Sequence, residues 1–325
     1  MCAGNSRPVG RELLKEIRRY ACGYRVTPAM QLLLDEIRGL HGPGVRAIIY
    51  YGSCLQTGCE TDGLLDLYVL VDDYAGVFKN PLLSFLNWIL PPNVFYLEVP
   101  LEKKRVIRAK YAVVSLWDFV ERTSGKAFHS YFWARFCQPV AMVYVSDPRV
   151  KRAVEIALAR AVITFFSRTV PCMGPEFTAR QLWLYGLGLS YGAELRPEKK
   201  ERLLRLWKTN GHVLERLTPA AVSCLPYKIR AAGPPDHPVF RSSIPESSRR
   251  ICRFSWFLRT VQGKILSVLR LIKAAFTFRG GVDYALWKIQ RHTGVEIEVS
   301  PYLRRHPLVA MVVLSWKLFS KRAIK

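Results

Sequence analysis

Two short apolar runs in the first part of the chain constrain its fold more than any other feature. The runs Ala47–Tyr51 and Leu64–Val71 are separated by about a dozen turn-forming residues that begin with Gly52 and Ser53. Each run has the length and composition of a buried strand. The second run carries one charge, Asp66. A carboxylate inside an apolar strand costs several kcal/mol unless it is paired or bound to a metal, so its position predicts a functional site.

The remaining pattern predicts an α/β or α+β unit over residues 1–147. Short runs rich in β-branched and aromatic residues predict the further strands Val94–Val99, Tyr111–Leu116 and Val140–Val145. Apolar residues at helical spacing predict the helices Gly10–Tyr20, Thr27–Leu40, Leu82–Trp88, Leu116–Arg122 and Ala127–Arg135.

Beyond this unit the apolar period becomes helical. A stripe that begins at Val150 predicts a helical domain over residues 148–230, and four prolines and four serines at 231–248 predict a linker. Residues 249–325 are expected to form a basic, apolar, helical C-terminal region that contacts a membrane. Its first helix, Arg249–Phe278, is predicted to be amphipathic, with Arg259, Arg270 and Lys273 towards the polar face.

The charge of the chain predicts a polyanionic partner. The formal net charge is +24, and residues 241–325 contribute 17 Lys and Arg against 4 Asp and Glu. That segment is also rich in large apolar residues, which favours an anionic membrane surface over nucleic acid. The eight cysteines form no CxxC pair and indicate reduced thiols. No secretion signal and no uncharged apolar run of about 20 residues is expected.

The residue types around Asp66 suit nucleotidyl transfer. Gly52 and Ser53 allow close backbone approach to phosphates, and a carboxylate can hold Mg²⁺ against phosphate oxygens. The common pattern for this chemistry places a second acid two residues after the first, where this chain has Tyr68. Asp72 and Glu98 are the other candidate metal ligands. On a straight strand Asp72 would lie roughly 20 Å from Asp66.

These elements resemble DNA polymerase beta-like nucleotidyltransferases and, more narrowly, the mitochondrial translocator assembly and maintenance family, the soluble-type phosphatidate cytidylyltransferases with bacterial members. The family's motifs have counterparts here in the same order. Tyr51–Ser53 resembles YGSG, Leu65–Asp66 resembles LDF, Val71–Asp73 resembles VDD, and Val94–Tyr96 resembles VYY. Lys110–Ser115 resembles KYGVIS, Arg135–Val140 resembles RLQKPV, and Gly188–Tyr191 with Glu194 and Arg196 resembles GLSY followed by D-x-R. Two departures are Cys54, where the family has a second glycine, and a missing His- and Asn-rich segment around Val77–Trp88.

The resemblance implies a polymerase beta-like sheet and a reaction in which CTP and phosphatidic acid give CDP-diacylglycerol and pyrophosphate in phospholipid synthesis. It implies catalytic roles for Ser53, Asp66 and Lys110. It assigns the nucleotide to Gly52, Ser53, Tyr111 and Arg135, the lipid headgroup to Tyr191, Glu194 and Arg196, and Mg²⁺ to Asp66, Asp72 and Glu98.

Two alternatives stay open at this point. One is a nucleotidyltransferase that acts on RNA or on a small molecule. The other is a degenerate, non-catalytic module docked on a membrane, suggested by Tyr68 and by the missing His segment. For the lipid enzyme we expect no nucleic-acid partner. Its expected location is peripheral, on the cytoplasmic face of the inner membrane of a bacterium or on the matrix side of the mitochondrial inner membrane.

Overall fold

The computed structural model describes residues 9–61, 63–102, 105–195, 200–234, 238–278, 280–293, 299–300 and 302–303. The first part is a five-stranded sheet in the order β3-β4-β2-β1-β5, in which β2 and β4 are parallel and the other neighbours antiparallel. Its strands are β1 (Val45–Tyr51), β2 (Leu65–Val71), β3 (Asn93–Pro100), β4 (Val106–Ser115) and β5 (Ala141–Val145). Its helices are α1 (Arg11–Ala21), α2 (Pro28–His41), α3 (Ser53–Thr57), α4 (Pro81–Ile89), α5 (Leu116–Thr123) and α6 (Trp133–Phe136).

A mainly helical region follows, so the fold is α+β as predicted. Its helices are α7 (Pro148–Thr169), α8 (Ala179–Gly192), α9 (Lys200–Val222), α10 (Glu246–Thr277) and α11 (Gly281–Thr293). The strands β6 (Glu176–Thr178), β7 (Ile229–Ala232) and β8 (Val239–Ser242) form a small sheet in the order β6-β8-β7.

The two faces of the large sheet have separate cores. Alternate residues of each strand point to opposite faces, so Ile49 and Tyr68 join the core with α1 and α7, whereas Ile48 and Val69 join the core with α2. Helix α7 is buried around most of its circumference. It lies in the same buried cluster as β1 and β2. The predicted units 1–147 and 148–230 therefore share one core, because α7 needs apolar cover from both.

Three predicted elements differ in the structure. Strand β4 begins at Val106, because Ile107 and Ala109 are buried while the intervening Arg108 is more exposed. The expected helix Ala127–Arg135 is reduced to the single turn α6, and the carbonyl of Phe128 accepts a hydrogen bond from Arg259 instead of one within a helix. The expected linker at 231–248 contains β8, which pairs with β6 and β7.

Helix α10 is amphipathic as predicted, but its polar face is turned the opposite way. Arg259 is 2 % exposed and Lys273 is 7 % exposed, because both pack against the body of the protein. Most large apolar side chains of the helix face outward and are 42–70 % exposed: Ile251, Phe254, Phe257, Leu258, Val261, Ile265, Val268, Leu269, Leu271, Ile272 and Phe276. Sequence periodicity separates the two faces of a helix but does not say which one is covered.

Close contacts hold α10 in this orientation. Trp256 is buried beside Trp133 and donates a hydrogen bond of 2.7 Å to the carbonyl of Arg168. At Gly263 the helix crosses the end of α8 so closely that a Cβ atom would overlap the carbonyl oxygen of Ala193. Within the described residues, no helix combines the length and hydropathy needed to cross a membrane. Residues 304–325 of the expected membrane-contacting region lie outside the described residues.

The inward orientation of α10 predicts a pH-dependent stability. Burial, and then the charge of Arg270, lower the pKa of Lys273 to about 7 from an ordinary value of 10.5. Between these values the unfolded chain binds more protons than the folded chain. The free energy of unfolding therefore rises with pH, by at most ~1.4 kcal/mol per pH unit. In urea unfolding, the stability of Lys273→Met relative to wild type should fall as the pH rises from about 7 towards 10.

The control is Lys264→Met, which removes an exposed lysine from the same helix. Its stability difference from wild type should stay constant over the same pH range. Parallel pH curves for wild type and Lys273→Met would show that burial does not perturb this amine.

Candidate active site

The site begins where β1 ends, at a glycine that no other residue can replace without strain. Gly52 has φ +91°, and a Cβ atom there would lie 2.8 Å from Oδ2 of Asp66. Antiparallel pairing of Tyr51 with Asp66 sets this contact. Ser53 then starts the short helix α3 and is exposed. The carboxylate of Asp66 therefore lies directly against the turn that the sequence singled out.

Asp66 is paired with Lys110. The two are neighbours across the parallel strands β2 and β4, and Nζ of Lys110 lies 3.4 Å from Oδ1 of Asp66. The side chain of Asp66 is 23 % exposed and that of Lys110 is 35 % exposed, so both reach solvent. An ion pair that reaches solvent contributes little to stability by itself. A cation that bound Asp66 would compete with Lys110.

A half-buried arginine lies on the same face of the sheet. Arg135 in α6 donates a hydrogen bond of 3.1 Å to the hydroxyl of Tyr68 and forms an ion pair of 3.3 Å with Glu194. Its guanidinium also lies 5.8 Å from the ring centroid of Tyr51, next to Asp66 in the ladder. Burial, and then the charge of Asp66, raise the pKa of Tyr51. Arg135 is thus linked to Asp66 through one tyrosine ring.

Tyr68 stands where a second acid was looked for, and the structure gives it a different role. Its ring is fully buried, and its hydroxyl contacts Arg135 and Tyr131. Burial would raise the pKa of Tyr131, but Arg135, Arg270 and the hydrogen bond from Tyr68 outweigh it and lower that pKa. Tyr68 therefore orients the guanidinium of Arg135 and does not supply a carboxylate ligand for a metal ion.

The predicted headgroup residues are brought together only in part. Glu194 contacts Arg135, and the hydroxyl of Tyr191 accepts a hydrogen bond of 3.1 Å from Gln138, three residues after Arg135 in the chain. Arg196 lies outside the described residues. The wall formed by α8 therefore adjoins the cluster around Arg135.

The predicted metal ligands do not form one group. Asp72, beyond the end of β2, pairs with Arg46 at 3.3 Å, and Glu98 pairs with Arg108 at 2.9 Å. Among the described residues, no three His, Cys, Asp or Glu side chains are placed to hold a metal ion together. Asp72 and Glu98 are therefore not placed to share an ion with Asp66. Asp66 lies near the start of β2 and Asp72 beyond its end, and Asp72 and Glu98 are each paired with an arginine.

Tyr111 lies on the opposite face of the sheet from the other candidates. It directly follows Lys110 on β4, so its side chain points the other way. Its hydroxyl lies 3.1 Å from Nε2 of His41, and its ring stacks on Phe95. Its predicted nucleotide contact is therefore not carried further.

Two members of the site were missed from the sequence. Tyr131 lies in the stretch expected to be helical, and Arg270 was assigned only to the polar face of α10. Both arginines nevertheless contact the ring of Tyr131. The guanidinium of Arg270 lies 4.1 Å from the ring centroid, and the guanidinium of Arg135 lies 4.4 Å from it. An aromatic residue close in sequence to Arg135 was the only available signal, and nothing local indicated Arg270.

Comparison with known proteins adds no identity to this geometry. No protein-family profile matches the chain, and no curated protein sequence is significantly similar to it.

The contact between Gly52 and Asp66 predicts the effect of adding one methyl group. Gly52→Ala places a Cβ atom against Oδ2 of Asp66 at a positive φ, so we expect the free energy of unfolding to fall by about 2 kcal/mol. The matched control is Gly39→Ala in α2, where a Cβ meets open space and should stabilise the helix by about 0.5–1 kcal/mol. Thermal or urea unfolding measures both. Equal stability of the two variants would contradict the described turn.

Proposed function

We propose that the chain is a peripheral membrane enzyme that transfers the cytidylyl group of CTP to phosphatidate, giving CDP-diacylglycerol and pyrophosphate. One observation carries the proposal. The carboxylate of Asp66 lies against the Gly52 turn and beside Lys110, and the ring of Tyr51 links it to Arg135. A phosphate-binding turn, a carboxylate and two cations on one sheet face are the parts that nucleotidyl transfer requires. The choice of CTP and of phosphatidate rests on the resemblance of the motifs.

In this reaction an oxygen of the acceptor phosphate forms a bond to the α-phosphorus of CTP. The bond from that phosphorus to the bridging oxygen breaks, and pyrophosphate leaves with the electron pair. A phosphate monoester is already anionic near pH 7, so no side chain has to remove a proton. Lys110 and Arg135 would offset the negative charge of the phosphates, and the Gly52–Ser53 backbone would let them approach closely.

The residues of the site fit a magnesium ion that has few protein ligands. Mg²⁺ in nucleotide enzymes is held by one or two carboxylates together with substrate phosphates. Asp66 supplies one carboxylate, so most of the remaining ligands would come from the triphosphate and water. When bound, the ion would reduce the charge repulsion between the phosphates and an anionic acceptor.

The outer surface of α10 supports a membrane location. Helix α10 lies beside the C-terminal end of α4, where the carbonyls of Leu90 and Pro91 accept bonds from Lys273 and Arg270. Helix α4 also exposes apolar side chains, namely Leu82, Phe85, Trp88 and Ile89. Many large exposed apolar side chains on one helix are typical of an interaction site. The inward cations of α10 do not form a basic stripe for RNA.

One observation favours a second candidate, a non-catalytic membrane-docked module. Asp66 already has a cationic partner in Lys110, and among the described residues it belongs to no cluster of three potential metal ligands. The two functions differ in what they require of Asp66, because a binding module can lose this charge and an enzyme cannot.

Asp66→Asn separates the two candidates. We expect it to lower the rate of CDP-diacylglycerol formation from CTP, phosphatidate and Mg²⁺ by at least a factor of about 100, because the ion loses its protein ligand. Asp35→Asn, which changes an exposed carboxylate paired with Arg38, should keep the wild-type rate. Product formation by Asp66→Asn at the rate of the Asp35 variant would reject the enzyme.

A single charge on the outer face of α10 tests the membrane contact. Ile265 is 56 % exposed, and Ile265→Asp should weaken binding to vesicles that contain phosphatidate about tenfold in a flotation assay. Leu32→Asp makes the same change at a 53 % exposed leucine of α2 and should leave vesicle binding unaltered. Equal binding by both variants would place the membrane contact elsewhere.

A further inference from the structure

The inward face of α10 carries two basic side chains that have no acidic partner among the described residues. Lys273 is buried and bonds to the carbonyls of Leu90 and Pro92, and Arg270 bonds to that of Pro91. Nη1 of Arg270 is buried and has no hydrogen-bond partner within the described part of the chain. A guanidinium with a buried nitrogen that lacks an acceptor is costly, so Arg270 is placed to bind an anion.

Arg270 reaches the candidate active site, as the contacts of Tyr131 establish. One ring contacts both Arg270 and Arg135, at 4.1 Å and 4.4 Å from its centroid. A third arginine, Arg122, lies near enough to influence the same region. Burial, and then Arg270, Arg122 and Arg135, lower the pKa of the neighbouring His129 to about 3. The histidine is therefore neutral, and the cluster carries excess positive charge.

The balance of charges identifies the arginine that lacks a partner. Arg122 pairs with Asp118 at 2.7 Å, and Arg135 pairs with Glu194 at 3.3 Å. Arg270 has no such carboxylate among the described residues, and its guanidinium offers the planar pair of donors that suits a phosphate. The ligand that completes the cluster is therefore an anion with several oxygen acceptors.

The residues beside Arg270 describe the rest of that ligand. Leu269, Leu271 and Ile272 are each 45–60 % exposed on the outer face of α10. One short stretch of helix thus presents a cation inward and apolar side chains outward. Phe85 and Trp88 of α4 are also exposed. A molecule with a phosphate head and an apolar body matches both sides of this stretch.

We propose that Arg270, with Arg135 and Tyr131, forms a binding site for the phosphate headgroup of an amphiphile whose apolar part lies on the outer face of α10. This inference rests on the proposed function, in which such an amphiphile is the acceptor of the cytidylyl group. It assigns recognition of the acceptor to α10 and recognition of the nucleotide to the Gly52 turn and Lys110. Helix α10 therefore holds the lipid by both its head and its chains.

The test compares Arg270→Met with Lys264→Met, which removes an exposed cation from the same helix. Calorimetry measures binding of soluble dihexanoyl phosphatidate, of inorganic phosphate and of CTP with Mg²⁺. We expect Arg270→Met to raise the Kd for dihexanoyl phosphatidate at least tenfold, corresponding to one lost charged contact, and to leave the Kd for CTP within about twofold. Lys264→Met should change neither Kd.

Three results would overturn the inference. An unchanged Kd for dihexanoyl phosphatidate in Arg270→Met would remove Arg270 from any phosphate site. An equal loss of CTP binding would assign Arg270 to the nucleotide. Inorganic phosphate that bound wild type as tightly as dihexanoyl phosphatidate would show a site for the free anion, with no role for the apolar face.

A measurement on the wild-type chain covers the case in which Arg270→Met does not fold. Dihexanoyl phosphatidate should slow amide hydrogen exchange in residues 265–275, and the absence of any such protection would contradict the site. The inference and the proposed function also fail separately. Phosphatidate binding that depends on Arg270, without CDP-diacylglycerol formation, would retain the site and reject the transferase. If the chain formed CDP-diacylglycerol but its binding of phosphatidate did not depend on Arg270, the transferase would be retained and the site rejected.

Discussion

The pairing of Asp66 with Lys110 beside the Gly52 turn is the interaction on which the candidate site depends. It exists because three strands are in register: Asp66 lies next to Tyr51 on one side and next to Lys110 on the other. The turn can approach the carboxylate because Gly52 has no side chain. The sheet therefore places a carboxylate, the amine of a lysine and the backbone of a glycine turn together without any long loop.

The second determinant is the orientation of α10. Arg259, Arg270 and Lys273 are directed into the protein and most of its large apolar side chains into solvent, which is the reverse of an ordinary surface helix. Burial of these cations is tolerated because backbone carbonyls and the ring of Tyr131 contact them. The helix thereby connects an apolar outer surface with the tyrosines and arginines of the site.

The sequence predicted the local elements well and the tertiary arrangement less well. Strand and helix periodicity located β1, β2 and α7, and the lone charge of Asp66 identified the central residue. Alternation along a strand would have excluded Tyr111 once Lys110 was assigned to the site. Strand length correctly predicted the separation of Asp72 from Asp66. In contrast, the contact of Arg270 with Tyr131 joins residues far apart in sequence, and no local pattern encodes it.

Thermal unfolding in the presence of nucleotides tests the central claim most directly. With Mg²⁺ present, CTP at a concentration well above its Kd should raise the Tm of the wild-type chain, since a ligand that binds only the folded state stabilises it. ATP should raise the Tm much less, and Asp66→Asn should lose most of the effect of CTP. A chain whose Tm responds to no nucleoside triphosphate, or whose response is the same with and without the Asp66 carboxylate, would contradict a nucleotide site at the Gly52 turn.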